Sequence, residues 1–112
     1  MKIEKLVKIM SALANDTRLR IFGLFLKREM CVCEVEAALG IEQSRISHAL
    51  RILREAGLLD VKKEGKWKIY SVNRDVMERG FMKNLSKEIV LPKKDLEGLD
   101  RCIREGVRES CK

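Results

Sequence analysis

An apolar turn between two amphipathic helices constrains this chain more than any other feature. Leu39-Gly40-Ile41 joins a short Ala- and Leu-rich run, Glu34-Val35-Glu36-Ala37-Ala38-Leu39, to a longer helix predicted over about Gln43 to Glu55. Gly40 stops the first helix, and Leu39 and Ile41 would seat the turn in the core. In the second, Ile46, Leu50 and Leu53 recur at four and three residues, with Ala49 and Ile52 beside them, which defines an inward face. Gln43, Ser44, Arg45, Ser47, His48, Arg51 and Arg54 are left facing elsewhere. The pattern predicts a helix-turn-helix whose second helix can enter a DNA groove.

The flanking segments extend this unit. Ile3, Leu6, Val7, Ile9, Met10 and Leu13 predict a first helix over about Lys2 to Leu13, and Asn15 or Asp16 can cap a second through about Leu26. Gly57 ends the fourth helix. Leu58 to Lys63, a Glu64-Gly65 turn and Lys66 to Val72 then read as a β-hairpin, with Trp67, Ile69, Tyr70 and Val72 as strand formers. Two more helices are predicted, about Asp75 to Val90 and Lys93 to Ser110, parted by the only proline, Pro92. The expected fold is mainly α with a small β-hairpin wing: a winged helix-turn-helix occupying residues 1–112 as a single domain. At 112 residues such a domain has one core with little surplus. Leu6 and Met10 near one end, and Leu99 and Ile103 near the other, lie on apolar stripes that need partners. A homodimer formed through the N- and C-terminal helices, the latter about residues 75–110, is therefore expected.

The charge distribution points to the partner. The formal net charge is +7, and from Glu42 to Arg74 eight cations face four anions, whereas from Lys93 to Lys112 six face five. The excess thus lies on the presumed reading helix and wing, where it would neutralise phosphates of double-stranded DNA. Gln43, Ser44, Arg45, Ser47 and His48 occupy the first two turns of the reading helix, the part that normally points at base edges; Arg51 follows one turn on. Arg45 can fork onto guanine and Gln43 onto adenine, and Ser44 and Ser47 can contact bases or phosphates. Lys63, Lys66 and Lys68 on the wing can reach the backbone or minor groove. His48, the only histidine, has no acid–base companion, so no enzyme is expected. No apolar stretch approaches a membrane span, and the opening Met1-Lys2-Ile3-Glu4-Lys5-Leu6 does not read as a signal peptide, so a cytoplasmic location with reduced thiols is expected.

Four cysteines, at 31, 33, 102 and 111, are too few for a secreted disulfide scaffold. Cys31-Val32-Cys33 places two soft ligands one residue apart at the start of the third helix. Residues i and i+2 of a regular helix do not face one another, so gathering both sulfurs round one ion requires the first turn to open. That turn has unpaired N–H groups in any case, and the helix dipole there is expected to favour thiolates. A disulfide across one intervening residue would be strained. Cys102, beside Leu99 and Ile103, reads equally as a buried interface residue or a further ligand, and Cys111 as part of a mobile tail. A Cys-x-x-Cys on a βαβ scaffold, the pattern of a small thiol reductase, is absent.

Several stretches taken together resemble the arsenic-repressor (ArsR/SmtB) family of winged helix metal sensors. They are Leu13-Ala14-Asn15-Asp16-Thr17-Arg18-Leu19-Arg20-Ile21, Glu29-Met30-Cys31-Val32-Cys33-Glu34-Val35, Ser44-Arg45-Ile46-Ser47-His48-Ala49-Leu50, Leu53-Arg54-Glu55-Ala56-Gly57-Leu58-Leu59 and Gly65-Lys66-Trp67-Lys68-Ile69-Tyr70. The resemblance implies a homodimeric repressor, with no permanent cofactor, that releases operator DNA when a thiophilic ion such as As(III) or Sb(III) binds Cys31 and Cys33. Arsenic-sensing members typically carry a third cysteine three residues after the second, where this chain has Glu36. A third ligand would come from Cys102, Cys111 or a small cellular thiol. Zinc-sensing members use Asp and His on the C-terminal helix, and this tail has no histidine. A Cd(II), Pb(II) or Zn(II) sensor using Glu34 or Glu36 beside the thiols, and a thiol redox regulator, remain as alternatives.

Overall fold

A computed structural model describes residues 1–111. Ten elements follow in order: α1 (Ile3–Leu13), α2 (Asp16–Phe25), α3 (Val32–Leu39), α4 (Gln43–Glu55), β1 (Leu59–Glu64), β2 (Trp67–Val72), α5 (Arg74–Met77), α6 (Gly80–Glu88), α7 (Lys93–Arg104) and α8 (Val107–Ser110). The Asn15 side chain caps α2 by accepting from the Arg18 N–H at 3.0 Å, so that helix starts where the sequence places it. Ile21, Phe22 and Leu24 of α2, Ile46, Leu50 and Leu53 of α4, and Leu58 and Leu59 at the entry to the wing are fully buried together. Each such apolar side chain contributes about 1.5–3 kcal/mol of burial free energy. α4 is thereby packed into the core by its inner face.

Three expectations are corrected. The hairpin turn is Gly65-Lys66 rather than Glu64-Gly65: Glu64 still pairs with Trp67, and Gly65, at φ 59°, takes the left-handed position that the tight turn requires. The first helix predicted after the wing is broken into α5 and α6, with Asn73 capping α5 by accepting from the Val76 N–H at 2.9 Å. The last helix is likewise interrupted, because Gly106 adopts φ 61° and turns the chain from α7 into α8.

That second break decides where the C-terminus goes. α7 lies along α3 so closely that a Cβ at Gly98 would overlap the Ala38 carbonyl oxygen. At its start Asp95 receives a two-pronged hydrogen bond from Arg20 of α2, at 2.9 and 2.8 Å. Of the residues expected on the dimer face, Met10 and Ile103 are exposed and Leu6 is half-buried, while Leu99 is buried in the protomer's own core. On α1 and α6, Met10, Phe81 and Leu85 are exposed along an open groove of about 870 Å³ that Leu6, the buried Leu13 and, from α2, Leu19 also line.

Candidate functional site

The outer face of α4 matches the expected DNA reader in composition and exposure. Gln43, Ser44, Arg45, Ser47, His48 and Arg51 are all exposed, because Ile46, Ala49, Leu50 and Leu53 take the inward positions of the same helix. Ser44 donates its hydroxyl hydrogen bond to the Glu42 carboxylate. Arg51 places a guanidinium nitrogen 2.9 Å from Nδ1 of His48. Arg45 has no ion-pair partner among the described residues. Beside it a cleft of about 280 Å³ is walled by Asn15, Thr17 and Arg18 from the start of α2 and by Ser44, Arg45 and His48. The contribution of Thr17 and Arg18 was not read from the sequence, because their proximity to α4 arises from the packing of α2 on α4.

On the wing, Lys63 and Lys66 are exposed, and Lys66 Nζ stands 5.3 Å from the centroid of the Trp67 ring. Neither has a carboxylate partner among the described residues. Lys62 differs: its ammonium lies 3.2 Å from Glu64 and 3.6 Å from Glu29. The wing is also tied to the start of α3, since Met30 pairs with Tyr70 of β2 through Met30 N–H to Tyr70 C=O at 3.1 Å and Tyr70 N–H to Met30 C=O at 2.8 Å.

The cysteines meet at the first turn of α3, though not in the expected combination. Cys31 is the N-cap and is buried, while Cys33 is joined in a disulfide to Cys111, with 6.0 Å between their Cα atoms. Cys111 is therefore held against α3 rather than lying in a loose tail. Cys102 of α7 is a second buried free thiol and faces the Glu34 carbonyl at 3.6 Å, so it packs within the protomer rather than at an interface.

Glu34 organises this corner. Its carboxylate, 3% exposed, accepts from the Cys31 N–H at 3.0 Å and from Arg108 Nε at 2.9 Å, and lies 3.4 Å from Arg28. Arg108 also donates to the Glu29 carbonyl at 3.1 Å. Burial disfavours the charge on Arg108, but the hydrogen bond and attraction from Glu34 outweigh it and hold its pKa above the ordinary value. The expectation of an acidified thiol at the helix start fails for Cys31. Burial pushes its pKa up, the Glu34 carboxylate adds to this, and the backbone N–H groups do not compensate. Burial raises Cys102 similarly. Because Glu34 is committed to two arginines and a backbone N–H, it is not free to join a metal shell. No cluster of three or more His, Cys, Asp or Glu side chains is placed to hold a metal among the described residues. Cys33 and Cys111 thus bridge α3 and the C-terminus, and only on reduction would their two sulfurs become thiols.

The family model "Bacterial regulatory protein, arsR family" matches residues 15–61, which run from the cap of α2 into β1. A putative arsenical resistance operon repressor, ArsR, from Halobacterium salinarum is 44% identical over 70 residues, covering 61% of this chain and 54% of that protein. An uncharacterised HTH-type transcriptional regulator, MJ1325, from Methanocaldococcus jannaschii is 40% identical over 75 residues, covering 66% of this chain and 84% of that protein. The chain belongs to the arsR family. The arsR-family fold extends to the solved structures: the homodimeric winged helix-turn-helix DNA-binding domain of Mb0332 from Mycobacterium bovis superposes with a TM-score of 0.67 at 25% identity, over 77% of this chain and 81% of that one. This chain spans about half the length of the first curated arsR-family relatives it matches. Among its described residues no helix is long and apolar enough to cross a membrane.

Proposed function

We propose that this chain is a cytoplasmic, homodimeric transcriptional repressor. It binds double-stranded operator DNA through α4 and the wing, and lets go when As(III) or Sb(III) is captured by thiols at the junction of α3 with the C-terminus. The observation that carries this reading is the meeting of Cys33 and Cys111 sulfurs on the helix that packs against the reader. In the reduced protein these thiols, with Cys31 two residues away, form a grip for a soft ion that favours sulfur. Capture would shift the first turn of α3 and tilt α4. Two reading heads must be spaced by about one DNA turn, ~34 Å, so a small tilt in each protomer reduces affinity. A coupling of about 1–3 kcal/mol corresponds to roughly 5- to 150-fold weaker binding.

In this reading Gln43, Ser44, Arg45, Ser47, His48 and Arg51 face the major groove, and Lys63 and Lys66 contact phosphates. Dimerisation uses the apolar surface of α1 and α6, with Met10, Phe81 and Leu85 at its centre. A second reading is favoured by the same sulfur pair: oxidation by a peroxide or an organic disulfide, in which Cys33 and Cys111 together give up two electrons and two protons as their bond forms. A DNA-mobility titration of the reduced protein with arsenite, antimonite, cadmium, lead, zinc and peroxide separates the two. Release by arsenite and antimonite at the lowest concentrations is expected; release by peroxide alone would select the redox reading.

The DNA contacts are tested independently. Arg45→Ala is expected to weaken operator binding by about 1–3 kcal/mol and relax preference at one base position, with fold and dimer unchanged. Lys63→Ala with Lys66→Ala should weaken binding to all sequences alike and reduce the slope of log affinity against log salt by roughly two. An unchanged affinity for Arg45→Ala, or an unchanged salt slope for the double variant, would show the interface to be elsewhere.

A further inference from the structure

Arg108 of α8, 74 residues in sequence from Glu34, places its guanidinium between the Glu34 carboxylate and the Glu29 carbonyl. Glu29 immediately precedes Met30, whose backbone is paired on both sides with Tyr70 in the wing. Three residues beyond Arg108 is Cys111, bound to Cys33 in the first turn of α3. The short segment Arg28–Cys31 is therefore gripped from one side by the C-terminal helix and from the other by β2. Lys62 of β1 adds a side-chain contact to the same Glu29.

We propose that α8 is a clasp that controls the wing: closing Cys33 onto Cys111 seats Arg108 on Glu34 and Glu29, and this fixes Arg28–Cys31 against Tyr70, holding the wing lysines in one pose. Opening the thiols frees α8 and lets the wing adapt to the DNA backbone. This inference rests on the proposed DNA-binding function only for its consequence; the mechanical link stands on these contacts alone. It makes Glu34 and Arg108 positioning residues for the response, acting through the backbone pair at Met30 and Tyr70. It also assigns a role to a buried carboxylate that binds no DNA and is not free to bind an ion.

The route predicts a signal at one backbone group. The Tyr70 amide, hydrogen-bonded to Met30, should exchange with solvent more slowly when the clasp is closed. The 112-residue chain is reduced, then closed with oxidised glutathione, so that the two cysteine thiols lose two electrons and two protons while the glutathione disulfide becomes two thiols. Closure is verified by counting free thiols. In the wild type, closure should slow Tyr70 exchange about tenfold, the scale of one charge-assisted contact, while the core amide of Leu50 is unaffected. In Arg108→Gln closure should still occur but the slowing should be lost; Arg108→Lys, which keeps the charge, should restore part of it. Cys111→Ser, which cannot close, should exchange like the reduced wild type. Equal Tyr70 rates in open and closed wild type, or an undiminished slowing in Arg108→Gln, would overturn the clasp. A slowed Tyr70 amide without any change in operator affinity supports the clasp and contradicts only its consequence for DNA binding. Lowered affinity with an unmoved Tyr70 amide overturns the clasp and supports the proposed DNA binding and its redox reading.

Discussion

Asp95→Ala is expected to lower unfolding free energy by about 3–5 kcal/mol, because it strands a partly buried guanidinium without its partner. Asp95 is 1% exposed and accepts both Nε and a terminal nitrogen of Arg20, at 2.9 and 2.8 Å. An arginine keeps its proton with or without a partner, so the stranded side chain cannot escape by losing it. Asp16, the other carboxylate near it, stands 3.8 Å away on an exposed side chain and replaces little of the lost interaction. Replacing both partners together, Arg20→Met with Asp95→Leu, should recover much of the loss, because no charge is then left unpaired. Urea denaturation at a fixed protomer concentration measures all three proteins; near-equal midpoints for wild type and Asp95→Ala would show that the pair does not anchor α7.

Gly98→Val should be comparably damaging for a different reason. A Cβ at this position would overlap the Ala38 carbonyl oxygen and lie 2.9 Å from the carbonyl carbon, so the obstruction is backbone and cannot rotate away. Overpacking of this kind costs about 1–3 kcal/mol and more where backbone must move. The expected response is separation of α7 from α3 while the core around α2 and α4 survives. Cys102, buried on the side of α7 that faces α3 in the wild type, would then react with a thiol reagent at a rate near that of an exposed cysteine. If Cys102 stays protected in Gly98→Val with stability unchanged, the close approach of α3 and α7 is not as described.

Much of the fold was legible because it is written locally. The α4 helix falls over Gln43–Glu55 as its apolar period requires, and Asn15 caps α2 as a short polar side chain at that position should. The polar face of α4 was legible for the same reason, since an inward stripe of Ile46, Leu50 and Leu53 leaves only one outward set. Other features depended on contacts between distant residues. The glycine at 106 sits inside an otherwise helical pattern, where a single glycine is often tolerated, so the break that returns the chain toward α3 was not apparent. Cys33 and Cys111 are 78 residues apart, and Glu34 and Arg108 are 74 apart; no periodicity links either pair. The raised pKa of Cys31 was misjudged because the helix terminus was visible in the sequence, whereas the burial and the neighbouring carboxylate were not. Leu99 was assigned to a dimer face because its stripe was readable but its partner, α3 of the same chain, was not.

The central claim is that ion capture at the first turn of α3 releases DNA, and one experiment addresses it most directly. Reduced wild type, Cys33→Ser, Cys111→Ser and the double variant Cys31→Ser with Cys33→Ser are compared for operator release by arsenite. Serine at position 31 keeps an N-cap and serine is nearly isosteric at 33, so all four proteins should bind the operator with equal affinity before arsenite is added. The wild type should then release DNA, while Cys33→Ser and the double variant should stay bound, because a hydroxyl is a poor ligand for a soft ion. Cys111→Ser should be impaired as well, since Cys111 lies within bonding reach of Cys33. Release of the double variant at the same arsenite concentration as the wild type would contradict the account.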